Sequence, residues 1–210
     1  MIDGIIDRMS KSELKSFLLR LCEKDEMLLM ALKGLEGGID VNDYKFRLAK
    51  AIGDPIYWSS YVDDYEDVAN NKILNILAEV DAAAAKNKNS HKAIIELLDW
   101  LLDIINDGYI NSIEGLIIES VLEAINILTN IAIADKTYRQ DIINILLEYY
   151  DGFEYNIEDE IVEAIGAIFK KMSTSEALSI ANLESIINSD VIDQALIKAE
   201  RLDILDLLDD

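Results

Sequence analysis

Apolar residues recur every three or four positions along nearly the whole chain, the period of helices with one face turned inward. Leu14, Phe17, Leu18, Leu21 and Cys22 fall at i, i+3, i+4, i+7 and i+8 and make one stripe. Ser10 and Glu13 precede it in the spacing of a capping box. Asp25 opens a second helix with Met27, Leu28, Leu32 and Leu35 as its apolar set, and Gly34, Gly37 and Gly38 stop it. A shorter helix is predicted over Tyr44–Ile52. Pro55 then forces an extended connection, because the residue before proline avoids helical geometry. A long helix follows from about Asp64 to Ala85, with Ala69, Ile73, Ile76, Leu77 and Val80 on its buried face. KNKNS breaks it, and Ser90 is placed to cap the next helix, HKAIIELLDWLLDIIN, which is apolar on more than one side.

Segment 113–134 is apolar nearly all round, the mark of a helix with neighbours on both sides. Two more capping boxes stand at Thr137/Gln140 and Ser173/Glu176, and the leucines and isoleucine of RLDILDLLDD favour docking of that end. No stretch alternates with period two between hairpin turns, so no sheet is predicted. VLEAINIL, residues 121–128, is echoed by IVEAIGAI, residues 161–168. A repeat of about 40 residues is that of HEAT-like helix pairs, which stack because one pair cannot bury its own apolar face. The expectation is therefore all-α: stacked antiparallel helix pairs in a HEAT-like right-handed solenoid, or else an irregular helical bundle. With one proline and no Ser/Gly-rich linker, residues 1–210 read as a single all-helical domain, with 54–60 as the place for any subdivision. A chain of 210 residues buries enough surface to need neither metal nor disulfide.

Charge narrows the partners. The formal net charge is −22, from 19 basic and 41 acidic residues. It is uneven: residues 1–56 carry nine Lys/Arg and ten Asp/Glu, residues 57–138 five against fourteen, and residues 139–210 five against seventeen. Such a surface repels nucleic acid, whose binding depends on cations set against phosphates, and repels an anionic leaflet. It attracts a basic protein and speeds its arrival, although acidity also serves plain solubility. Cys22 is alone, which suits a reducing compartment, and MIDGIIDRMS has no signal-peptide pattern, so a cytoplasmic location is expected. The most hydrophobic window, 115–134, contains Glu119 and Glu123, which argues against a membrane span.

Two segments carry a resemblance. MSKSELKSFLLRLCEKDEMLLMAL, residues 9–32, resembles the helix pair that opens the α-helical region following the zinc finger in bacterial SWIM zinc-finger proteins. YVDDYEDVANNKILNILAEVDAA, residues 61–83, resembles that family's aromatic and acidic segment leading into a long helix. The AIIELLDWLL and NSIEGLIIESVLEAI runs follow in the family's order, so the resemblance spans roughly residues 9–170. The zinc finger itself needs three cysteines and a histidine, and this chain has only Cys22 and His91. The resemblance thus implies a helical interaction scaffold without the finger, its zinc or any catalytic residues.

Candidate chemistry concentrates in YWSSYVDDYEDVANN, residues 57–71, which sets Tyr57, Trp58, Tyr61 and Tyr65 among Asp63, Asp64, Glu66 and Asp67. In the simplest reading the acids complement the positive N-terminus of a helix and the aromatics pack inward. In a second, the aromatics anchor a protein partner and the acids guide a basic one. A third, in which Asp63, Glu66 and Asp67 hold a divalent cation, lacks the EF-hand spacing. Partner-binding candidates are therefore Tyr57, Trp58, Tyr61, Asp63, Asp64, Tyr65 and Asp67, with no metal or cofactor assigned. The lone His91 reads as a solvated surface residue, Cys22 as an inert core thiol and Trp100 as core or groove edge. GLEGG, residues 34–38, follows a helix rather than a strand and reads as a helix stop, not a phosphate loop. No nucleophile elbow, zinc-protease or dinucleotide motif occurs, so no catalytic residues are assigned. The expected function is a non-enzymatic scaffold for protein–protein interaction. The alternative is an acidic inhibitor or immunity-type protein that neutralises a basic nuclease or toxin.

Overall fold

The computed structural model describes residues 10, 16–17, 39–53, 65–106, 118–150 and 157–208, with the side chains of 65–69 and 184–188 outside the description. The described residues contain helices and turns and no strand. The helices are α1 (Val41–Gly53), α2 (Tyr65–Lys86), α3 (His91–Asn106), α4 (Ile118–Ala134), α5 (Arg139–Tyr150), α6 (Glu158–Phe169), α7 (Thr174–Lys198) and α8 (Leu202–Leu208). The long helix and the apolar helix at 118–134 agree with the sequence pattern to within a residue wherever they are described, and the shorter helix begins three residues earlier than its pattern suggests. The two N-terminal helices, Cys22, the 34–38 glycines and Pro55 lie outside the described residues, apart from helical Ser16 and Phe17.

Contacts between helices follow a simple order. Each helix packs on its successor. In addition, α1 touches α3, α3 touches α5 and α5 touches α7, while α2 touches α4 and α4 touches α6. Odd helices therefore form one layer and even helices the other, which is a stack of helix pairs. The sequence echo marks this order: 121–128 lies on α4 and 161–168 on α6, successive helices of the even layer. Val121, Ala124, Ile125 and Leu128 are buried, and so are Ile161, Ala164, Ile165 and Ile168 at the matching positions. α4 has neighbours in both layers, which is why its apolar residues extend round most of its circumference. One core runs from Tyr44 on α1 to Ile204 on α8, so the leucine-rich end is docked.

Helix ends follow local hydrogen bonding. Asp40 caps α1, its Oδ1 accepting from Asn42 N at 3.0 Å. Ser173 caps α7 as its box predicts, accepting from Glu176 N at 3.3 Å. Ser90 and Thr137 do not act as predicted. Asn87 accepts from Asn89 N at 3.1 Å and Asp135 from Thr137 N at 3.0 Å, and each starts a 3-10 turn running directly into α3 or α5. The caps therefore sit one turn earlier, because the Asx side chain closes the tighter turn before the α-helix begins. α7 ends with Glu200 in the left-handed region (φ 59°), Arg201 N donating to Leu196 O and Glu200 N to Ile197 O, the hydrogen-bond pattern of a Schellman motif.

Candidate interaction surface

Of the residues singled out at 57–71, Tyr57, Trp58, Tyr61, Asp63 and Asp64 lie outside the described residues. Tyr65, Glu66 and Asp67 form the first turn of α2, and their side chains are outside the description. Among the described residues no group of three or more His, Cys, Asp and Glu side chains is arranged to hold a metal ion.

The structure instead assembles an aromatic and acidic site on the odd layer. α3 carries Asp99, Trp100 and Asp103, its two acids one turn apart. Lys45 of α1 sets its ammonium over the Trp100 ring at 5.2 Å, a cation–π geometry. Trp100 is half-buried and packs against the core. From α5, the buried Tyr149 donates its hydroxyl to Asp103 Oδ1 at 2.7 Å and lies 3.2 Å from the Asp99 carbonyl oxygen. Burial pushes the Asp99 carboxyl above the ordinary range, and the charges of Asp103 and Glu148 add to it, while Tyr149 and Lys45 pull it back. Burial, then the bond to Asp103, likewise drives the Tyr149 phenol well upward. Asp99 and Asp103 thus stand beside Trp100 on one helix, the charge of Glu148 acts on Asp99 from α5, and an ammonium lies over the Trp100 ring. Such a surface is chemically suited to Lys and Arg side chains. The signal in the sequence was DWLLD, two acids at i and i+4 flanking a tryptophan on the less apolar side of its helix. The partners Lys45 and Tyr149 come from roughly fifty residues away on either side and leave no local mark.

His91 corrects the sequence reading. It is buried, only 2 % exposed, not solvated. Its ring sits at the corner between α2 and α3, with Nε2 at 3.0 Å from the Ala84 carbonyl and Nδ1 at 3.5 Å from Asp135 Oδ2. Arg139 does the same one repeat later: Nε donates to the Ala132 carbonyl at 3.0 Å, and Nη1 to both Glu176 oxygens at 3.0 Å. In each case the first residue of an odd helix bonds the carbonyl seven residues earlier and reaches an acid at the next corner. Lys88 adds a bond to Ala134 O at 3.1 Å. At the end of the stack, Arg201 donates to the Met172 carbonyl at 3.0 Å and pairs with Asp203 at 2.9 Å.

Two further buried polar groups join helices, the first between layers and the second within the even layer. Glu79, 1 % exposed, accepts from Tyr44 at 2.8 Å and from both Arg47 Nη atoms at 2.9 and 2.6 Å. Ser120 donates to Asn70 at 2.5 Å, and Asn70 to Glu119 at 3.0 Å. These groups are engaged in holding helices together. No helix among the described residues is long and apolar enough to cross a membrane. No protein-family model matches the chain, and comparisons with curated proteins and with solved structures return no match.

Proposed function

We propose that this protein is a non-enzymatic helical scaffold that binds a basic protein segment on the outer face of α1, α3 and α5. The observation that carries the reading is Lys45 over Trp100 amid Asp99, Asp103 and Glu148. The chain's own ammonium occupies the plate that a partner's Lys or Arg would take, and the surrounding acids supply attraction and orientation. Phe46, 68 % exposed, follows Lys45 on α1 and leaves apolar area on that helix. The net charge of −22 favours a basic partner over nucleic acid, and the resemblance to the SWIM-associated helical region points the same way. The segment 57–71 remains a second candidate for partner contact on its composition.

The test is capture from native lysate by the tagged chain at low and high salt, with wild type beside Trp100→Ala/Asp103→Lys. A basic protein retained at low salt by wild type and lost by the folded double variant is the expected result. Capture unaltered by the variant overturns the assignment of this face. The charge also favours a second reading, neutralisation of a basic nuclease or toxin. That reading predicts that the captured protein is an enzyme whose activity stops on binding.

A further inference from the structure

We propose that the cleft between the C-terminal halves of α2 and α4 is a binding site for a guanidinium or primary ammonium group. It is a half-open cavity of about 330 Å³, lined by Asp81, Ala84, His91, Asn130, Ile131 and Ala134. Its volume falls in the range of small-ligand sites and accepts a guanidinium with several methylenes. Alanine at 84 and 134 leaves the space open; larger side chains there would fill it.

The polar groups of the lining are predominantly acceptors. The His91 Nε2 faces the Ala84 carbonyl, which only accepts, so Nε2 carries a proton. The ring's other nitrogen, Nδ1, is turned towards Asp135. This buried atom makes no hydrogen bond, and the group beside it, Asp135 Oδ2 at 3.5 Å, is an acceptor. Asn130 turns its amide nitrogen to Asn126 Oδ1 at 3.5 Å, which leaves its carbonyl oxygen for a ligand. Asp81 pairs with no cation among the described residues, and nearby Glu123 is held above the ordinary carboxylate range by burial and by Asp81. Both helices also end at the cleft, α2 at Lys86 and α4 at Ala134, so the negative ends of two helix dipoles meet there. One ammonium already answers this field, that of Lys88 on the Ala134 carbonyl. A donor-rich cation is the ligand that satisfies such a set. The inference does not rest on the partner-binding face, which belongs to the other layer.

Because His91 is the only histidine, its imidazole resonances report on this cleft alone. The full chain is titrated with agmatine and, separately, with a short neutral-capped peptide containing one arginine, and the ring resonances are followed by NMR. The expected result is a saturable shift that n-butanol does not produce and that is at least about tenfold weaker in Asp81→Asn, the worth of one charge-assisted hydrogen bond. A response to agmatine alone assigns the site to free amines, and one to the peptide assigns it to a protein side chain. Stabilisation of the chain by agmatine, lost in Asn130→Leu at the exposed rim, is the second readout. Unmoved His91 resonances with both probes, or equal shifts in wild type and Asp81→Asn, overturn the proposal.

Discussion

Arg139 and Glu176 join two corners of the stack: a single guanidinium nitrogen lies 3.0 Å from both oxygens of a carboxylate thirty-seven residues further on. Arg139 is buried and also bonds the Ala132 carbonyl, so its charge has little water to fall back on. Arg139→Ala leaves that carbonyl and Glu176 without their donor. The expected loss is about 2–4 kcal/mol in urea unfolding, because the pair is partly exposed at Glu176. Glu176→Gln, which keeps an acceptor, costs about 1 kcal/mol. Equal stability of Arg139→Ala and wild type would show that the corners do not hold the stack.

Glu79 is the buried anchor between α1 and α2. Glu79→Ala removes the acceptor for Tyr44 and for both arms of Arg47. It is expected to destabilise by about 3 kcal/mol, the low end for a broken buried pair because Arg47 keeps some exposure. Tyr44→Phe removes one hydrogen bond and costs about 1 kcal/mol. Guanidinium denaturation of the three proteins gives the order directly.

Gly166 stands where α6 meets α7. A Cβ there would lie 3.0 Å from the Ala195 carbonyl and 3.2 Å from Lys198 Cβ. Alanine gains about 1 kcal/mol in helix propensity, but backbone cannot yield as a flexible side chain does. Gly166→Ala is therefore expected to lower stability by a net ~1–2 kcal/mol. An increase in melting temperature would show that the two helices part at no cost.

Glu200 closes α7 at φ 59°, where a side chain is strained and glycine is not. Glu200→Gly is expected to stabilise by about 0.5–1 kcal/mol, the relief of strain outweighing the added freedom of the unfolded chain. Calorimetric melting of the variant checks the sign.

Glu123 sets the sign of one pH effect. Burial, with Asp81 adding, raises its folded value above the ordinary one. The folded protein thus holds this proton more tightly than the unfolded chain. The resulting stability is fully present below the ordinary carboxylate value and is lost as pH rises through the raised one. Glu123→Gln is expected to be more stable than wild type at neutral pH, with the difference closing on acidification to about pH 4. A gap that widens on acidification would reverse the assigned shift.

What the sequence determined is the helical character and the limits of several helices, with the stack as one of the two arrangements it left open. Helix period and capping depend on neighbours within about four residues, so Ile73, Ile76, Leu77 and Val80 announced the buried face of α2, and the 121–128/161–168 echo announced two helices of one layer. Tertiary structure decided the polar geometry. His91 looked like a surface residue because the pattern around it does not show that the end of α2 and the distant Asp135 corner close over its ring. The plate of Lys45, Trp100 and Tyr149 and the cleft at Asp81 arise where helices from different repeats converge. A single helix can encode which of its faces is apolar, but it cannot encode which distant charge will meet its polar edge once the stack has closed.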